Sequence, residues 1–171
     1  MIHSNDIICH TASNWVDVPA EVAFDYLTDG IQQGEWTLGS LNRAYVGEHP
    51  NGRLFVGRSI MDGQACYVVP RPDRNELVCF YDVGVGDEAP EKLDRGNVFL
   101  RVIPGSTWGG TAEQCIVTLA VWRPKNVDDL TWAQECQMFN AEIFILKGRL
   151  EHRFDLEQPV VTPGYEPTTT V

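Results

Sequence analysis

The chain has 171 residues, 43% of them hydrophobic and 22% charged, a balance that supports one packed domain and excludes disorder as the overall state. Its formal net charge is -11. The acids are scattered rather than clustered, so the surface repels phosphate backbones and anionic lipid, which excludes nucleic acid as a partner class.

Five cysteines, Cys9, Cys66, Cys79, Cys115 and Cys136, stand singly in apolar stretches and form no CxxC. That usage fits free thiols in a reducing compartment better than disulfides or a zinc site. The opening MIHSNDIICHT has neither a basic n-region nor an apolar h-region, and no stretch approaches the ~18 apolar residues of a membrane span. A cytoplasmic protein with no membrane span is expected.

In chain order, Ile7 to Val16 reads as a strand rich in Ile, Thr, Trp and Val. Pro19 opens a helix on which Ala20, Ala23, Phe24 and Leu27 recur at the spacing of one buried face; it stops near Thr28-Asp29-Gly30. A short second helix is expected from Ile31 to Trp36, weakened by Gly34. From Gly39 to Arg123 short β-rich runs alternate with turn chemistry at HPNG, MDG, RPDRN and PGSTWGG. The expected strands are Leu41 to Gly47, Leu54 to Ile60, Gln64 to Val69, Glu76 to Val83, Asn97 to Ile103 and Thr111 to Trp122. Gly84 to Gly96 carries four acids and a proline, so it reads as a loop, and one able to act as a lid.

The period then becomes helical. Asp128 or Asp129 can cap a helix reaching about Phe154, and Trp132, Cys136, Phe139, Ile143, Leu146 and Leu150 form one apolar stripe. A helix of that length must lie across the sheet. Residues 1–155 are thus expected to form one domain, and 156–171, with three prolines and a Thr run, a mobile or loosely docked tail.

VDVPAEVAFDYLTD from Val16 to Asp29, the following Trp36, RVIPG from Arg101 to Gly105 and EIFILKGRLE from Glu142 to Glu151 together resemble the SRPBCC superfamily. That superfamily includes START lipid-transfer domains, polyketide cyclases and dehydrases, and birch-pollen-allergen-like proteins; the resemblance spans roughly Ile7 to Phe154. It implies an α+β helix-grip fold: about seven antiparallel strands in a curved sheet wrapped on a long C-terminal helix, with two short helices after the first strand. Members bind lipids, sterols, polyketides or hormones, and only some are enzymes, so the fold does not settle function. A cyclase-type catalytic set cannot be placed on this chain residue by residue.

A helix laid across a bent sheet leaves a cavity between them. Its expected apolar lining is Trp36, Tyr67, Phe80, Trp132, Phe139 and Ile143, side chains that can equally be plain core. Asn140 lies about 80° from the centre of the helical stripe and can offer an amide at the cavity edge or sit in solvent. Asp82, in the apolar run FYDVG, is either a cavity general base or an outward acid. Arg101 is either a pocket clamp for an oxyanion or an outward residue between Leu100 and Val102, which form the cleaner apolar face. Tyr67 and Tyr81 carry phenols that can orient a ligand oxygen. His3, His10, His49 and His152 show no metal-ligand spacing, only His10 is placed to face the interior, and no phosphate or dinucleotide motif is present. No metal and no cofactor are expected.

Three functions remain open. The first is binding of an apolar or aromatic small molecule, lipid- or polyketide-like, by a monomer or homodimer. The second is a cofactor-independent polyketide cyclase or dehydrase type of enzyme using Asp82, Arg101 or Tyr67. The third is a ligand-free interaction protein docking a partner on the acidic loop Gly84 to Gly96.

Overall fold

The structure, a computed structural model, describes residues 8–157. Seven strands form one antiparallel sheet: β1 Cys9–Val16, β2 Leu41–His49, β3 Gly52–Arg58, β4 Ala65–Asp73, β5 Val78–Val85, β6 Asp94–Pro104 and β7 Cys115–Trp122. Their order is β1-β7-β6-β5-β4-β3-β2, a meander from β2 to β7 in which the first strand closes against the last. Between β1 and β2 lie helix α1, Ala20–Thr28, and two 3-10 turns, Gln32–Glu35 and Leu38–Ser40. Helix α2, Asp129–Glu157, follows β7. The expected tail lies, from residue 158 onward, outside the described residues, as do Ile7 and His3.

The expected loop Gly84 to Gly96 narrows to 86–93, because β5 runs to Val85 and β6 begins at Asp94, and two further expectations shift for physical reasons. β4 runs past Val69 through Pro70 and Pro72 to Asp73, although proline removes a ladder donor. It is tolerated because β3 pairs with β4 only as far as Val68, opposite Phe55, leaving β4 an edge on that side while its other side pairs β5. The second short helix is instead a pair of 3-10 turns. Gly34 does more than weaken it: a Cβ there would lie 2.3 Å from the Arg43 backbone nitrogen, so only glycine lets the turn approach β2 this closely.

The alternation of strand faces divides the sheet cleanly. On the inner face, Ala12, Val16, Leu100, Val102, Val117 and Leu119 pack against Phe24 and Leu27 of α1 and against Ile143, Leu146 and Leu150 of α2. Asp128 caps α2, its Oδ1 accepting from the Leu130 and Thr131 amides; these donors hold its carboxyl below the usual range. The outer face carries a second small core of Leu54, Ala65, Tyr67, Val69 and Leu93. Leu93 brings the 86–93 connection down onto that outer face, so the acidic loop does not act as a lid between sheet and helix. Among the described residues, no helix is long and apolar enough to cross a membrane.

Candidate functional site

Helix α2 packs chiefly along β1, then against β7 and the 3-10 turn Leu38–Ser40. Because it follows one side of the sheet, it leaves the inner faces of β4 to β6 short of filling side chains. A cavity of about 420 Å³ remains there, within the size range of small-molecule sites. Its apolar wall comes from Trp36, Val68, Val83, Val98, Leu119 and Phe139, with Cys66 and Met138 beside them. Met61, Asp62 and Val85, exposed residues of the 59–64 turn and the end of β5, form its rim.

Arg43 supplies the cavity's cation. A β-bulge between Leu41 and Ala44, with Asn42 in the left-handed region at φ 53°, sets the local direction of β2 there. The Arg43 Nε donates to Ser40 Oγ at 3.1 Å, and Nη1 donates to Gln33 Oε1. Gln33 is fully buried and its Nε2 donates in turn to the Leu27 carbonyl and to the Tyr81 hydroxyl. Burial pushes the Arg43 pKa down, opposed by Tyr81, Cys66 and Glu142 nearby; an arginine nevertheless stays cationic. Burial likewise pushes the Tyr81 phenol well above its ordinary value.

Glu142, on α2, is 3% exposed and lines the same cavity. Its Oε1 accepts from the Leu38 amide at 2.6 Å and the Gly39 amide at 3.3 Å, capping the 3-10 turn Leu38–Ser40 and joining it to the helix. Burial raises its pKa to about 7, outweighing those two donors and Arg43, which pull it down. Glu135, two turns earlier, is also raised by burial.

The sequence-derived candidates separate into three groups. Trp36 and Phe139 line the cavity. Trp132 and Ile143 are buried but do not border it, and Asn140 is instead bonded to His10 Nε2 on β1 at 3.0 Å, pinning helix to sheet. The helical stripe containing Trp132, Ile143 and Leu146 forms the seam with the sheet. The cavity is bordered by Thr131, Gln134, Glu135, Met138, Phe139 and Glu142, mostly one residue earlier in the helix and hence about 100° around it.

Tyr67, Phe80, Asp82 and Arg101 do not reach the cavity, because their strand positions put them on the outer face. Tyr67 belongs to the outer core, with its hydroxyl 3.5 Å from the Asp87 carbonyl. Phe80 is 38% exposed and lies beside Phe99, which stacks on Trp122. Arg101 is exposed. Asp82 is buried there, bonded to Asn51 and ion-paired with Arg71 and Arg95 at 2.8 Å each. A proton-handling set built from Asp82, Arg101 and Tyr67 therefore has no access to a ligand in this cavity.

No family model matches the sequence, and no curated protein matches it. Solved structures do. A START superfamily protein from Mycobacterium smegmatis superposes with a TM-score of 0.61 at 12% identity, covering 85% of this chain and 99% of that one. The Zhui aromatase/cyclase from Streptomyces sp. R1128 gives 0.56 at 13% identity over 85% of this chain and 94% of that one. The di-domain aromatase/cyclase StfQ of steffimycin biosynthesis gives 0.62 at 13% identity. The chain shares the fold of these structures, a seven-stranded antiparallel sheet with a long C-terminal helix. It covers 85% of itself but only 46% of StfQ, about half of that two-domain protein. The cavity lies between the sheet and the C-terminal helix, with Arg43, Tyr81 and Glu142 among its polar groups.

Proposed function

We propose that the chain binds one apolar or aromatic small molecule, lipid- or polyketide-like, in the cavity between the sheet and α2. The observation that carries this reading is a cavity of about 420 Å³ between sheet and helix, walled by Trp36, Val68, Val83, Val98, Leu119 and Phe139. A concave, largely apolar space of this size with a few polar groups is the usual form of a small-molecule site. The names of its structural neighbours, a START protein and two aromatase/cyclases, support the same class of ligand. Native mass spectrometry after incubation with fatty acids, flavonoids and aromatic polyketides tests it. A one-to-one adduct is expected; absence of any adduct or thermal shift across all three classes contradicts it.

One observation favours a second reading, a cofactor-independent enzyme acting on an enolisable ketone. Glu142 is a cavity carboxyl with a pKa of about 7, suited to proton transfer near neutral pH. Its unprotonated form would take a proton from carbon next to a carbonyl, the C–H electron pair moving onto the carbonyl oxygen beside Arg43. Deuterium exchange into an aromatic β-diketone in D₂O measures this step. The reading requires exchange above the solvent rate that Glu142→Gln removes.

A further inference from the structure

Among the described residues the cavity holds one cation, Arg43, that is paired with no acid by a hydrogen bond. Four ionisable groups of formal charge border it: Arg43, Asp62, Glu135 and Glu142. Asp62 is exposed at the rim. Glu142 directs Oε1 at the Leu38 and Gly39 amides, and Glu135 stands on the same helix, seven residues back. Arg43, by contrast, has only neutral hydrogen-bond partners, Ser40 and Gln33, and forms no ion pair among the described residues. The nearest acid, Glu142, interacts with Arg43 only through space, its Oε1 being turned to the two amides, and burial pushes it toward the neutral form; a half-buried guanidinium so weakly compensated gains from an incoming oxyanion. Its planar fork also matches a carboxylate in shape.

Resting on the ligand-binding reading above, we infer that the cavity's ligand is an organic anion: an apolar body bearing one carboxylate or equivalent oxyanion, seated against Arg43. The hydrophobic walls take the body and the arginine takes the charge. The surrounding acids set the limits of this seat. Burial pushes both Glu135 and Glu142 toward their neutral forms, which weakens the repulsion they offer an anion. A cationic ligand would be drawn to the same acids but would have to lie beside Arg43 in a space of low dielectric.

Three naphthalene probes of one shape separate these cases: naphthalene-2-carboxylate, 2-naphthylmethanol and 2-naphthylmethylammonium, titrated calorimetrically into the full chain near neutral pH. The carboxylate is expected to bind about tenfold or more tighter than the alcohol, and the ammonium weakest. Arg43→Gln should bring carboxylate and alcohol to within about twofold while alcohol binding persists, and Arg43→Lys should retain a reduced preference for the anion. The ordering in the unmodified chain is decisive even if Arg43→Gln fails to fold. Alcohol binding equal to or tighter than the carboxylate, or ammonium binding tightest, overturns the anion seat and leaves the apolar cavity standing. No binding by any probe overturns both.

Discussion

Glu142 on α2 accepts a hydrogen bond from the Leu38 amide at 2.6 Å, so one buried carboxyl ties the long helix to the turn that follows Trp36 in the cavity wall. This contact has a pH signature. The carboxyl's ordinary pKa is 4.5 and its native value about 7. Between these values the unfolded chain has lost the proton while the native chain keeps it. The native state therefore binds more protons, and this group makes stability fall as pH rises through that window, levelling off above it. The full effect is about 3 kcal/mol at most. Glu142→Gln keeps an acceptor for the two amides and removes the titration. Urea midpoints should then be higher than for the unmodified chain near pH 8 and converge with it near pH 4; a midpoint difference independent of pH speaks against the raised pKa.

Asp82 illustrates a buried acid with a structural role. It is 3% exposed and collects Arg71, Arg95 and Asn51 on the outer face. Both arginine side chains are roughly half exposed, at 43% and 53%, so they can rehydrate when their partner is removed. Asp82→Ala should cost about 1–3 kcal/mol, below the cost of breaking a fully buried pair. Ligand affinity in the cavity should stay within about twofold, since the change lies on the other face of the sheet. Thermal melting and calorimetric titration read the two quantities separately, and a large affinity loss in a folded variant would show the faces to be coupled.

Val98, half-buried on the inner face of β6, permits a cavity-filling test. Val98→Phe adds volume where the packed core has space to receive it, so the usual 1–3 kcal/mol penalty of overpacking should be largely avoided. The same substitution should lower ligand affinity about tenfold or more by occupying the site. Leu146→Ala is the contrasting case. Leu146 is fully buried in the seam between α2 and the sheet, and its truncation should cost about 2–5 kcal/mol. Equal stability losses for the two variants would indicate that the space near Val98 is already filled.

The 3-10 turn Leu38–Ser40 also depends on a glycine across from it. A Cβ on Gly57 of β3 would lie 2.6 Å from both the carbonyl oxygen and Oγ of Ser40, backbone included, so Gly57→Ala must push the turn away from the sheet. Because Ser40 also accepts from Arg43, the displacement should reach the proposed anion seat. A stability loss of about 1–3 kcal/mol is expected, with weakened binding of naphthalene-2-carboxylate. Unchanged melting temperature and affinity would mean the turn relaxes freely.

Much of the fold was legible because burial imposes a period on the sequence. Val98, Leu100 and Val102 mark one face of β6, and Trp132 to Leu150 mark the buried seam of α2, since each row must stay dry along its length. The site was less legible for the same reason. Cavity walls are half-buried and mixed in polarity, so Gln134, Glu135, Met138 and Glu142 give no clean apolar stripe beside the stronger one. Arg43 was hidden by the bulge at Asn42, which breaks the alternation needed to assign its face. Asp82 stays ambiguous in the sequence, an acid in an apolar run fitting either face; its arginine partners, Arg71 and Arg95 from the flanking strands β4 and β6, hold it on the outer one. Glu142 offered one usable signal, an acid immediately beside the apolar run Ile143 to Leu146 on the helix.

The occupancy of the cavity is tested most directly by amide and indole NMR shifts during titration with naphthalene-2-carboxylate. Trp36 lines the cavity, whereas Trp122 stacks with Phe99 on the outer face, so the two indole N–H signals report the competing locations. Binding in the cavity predicts saturable shifts at Trp36 and at the amides of Val83, Val98 and Phe139, with Trp122 unmoved. Shifts confined to Trp122, Phe80 and Phe99, or no saturable shift at Trp36, would contradict it.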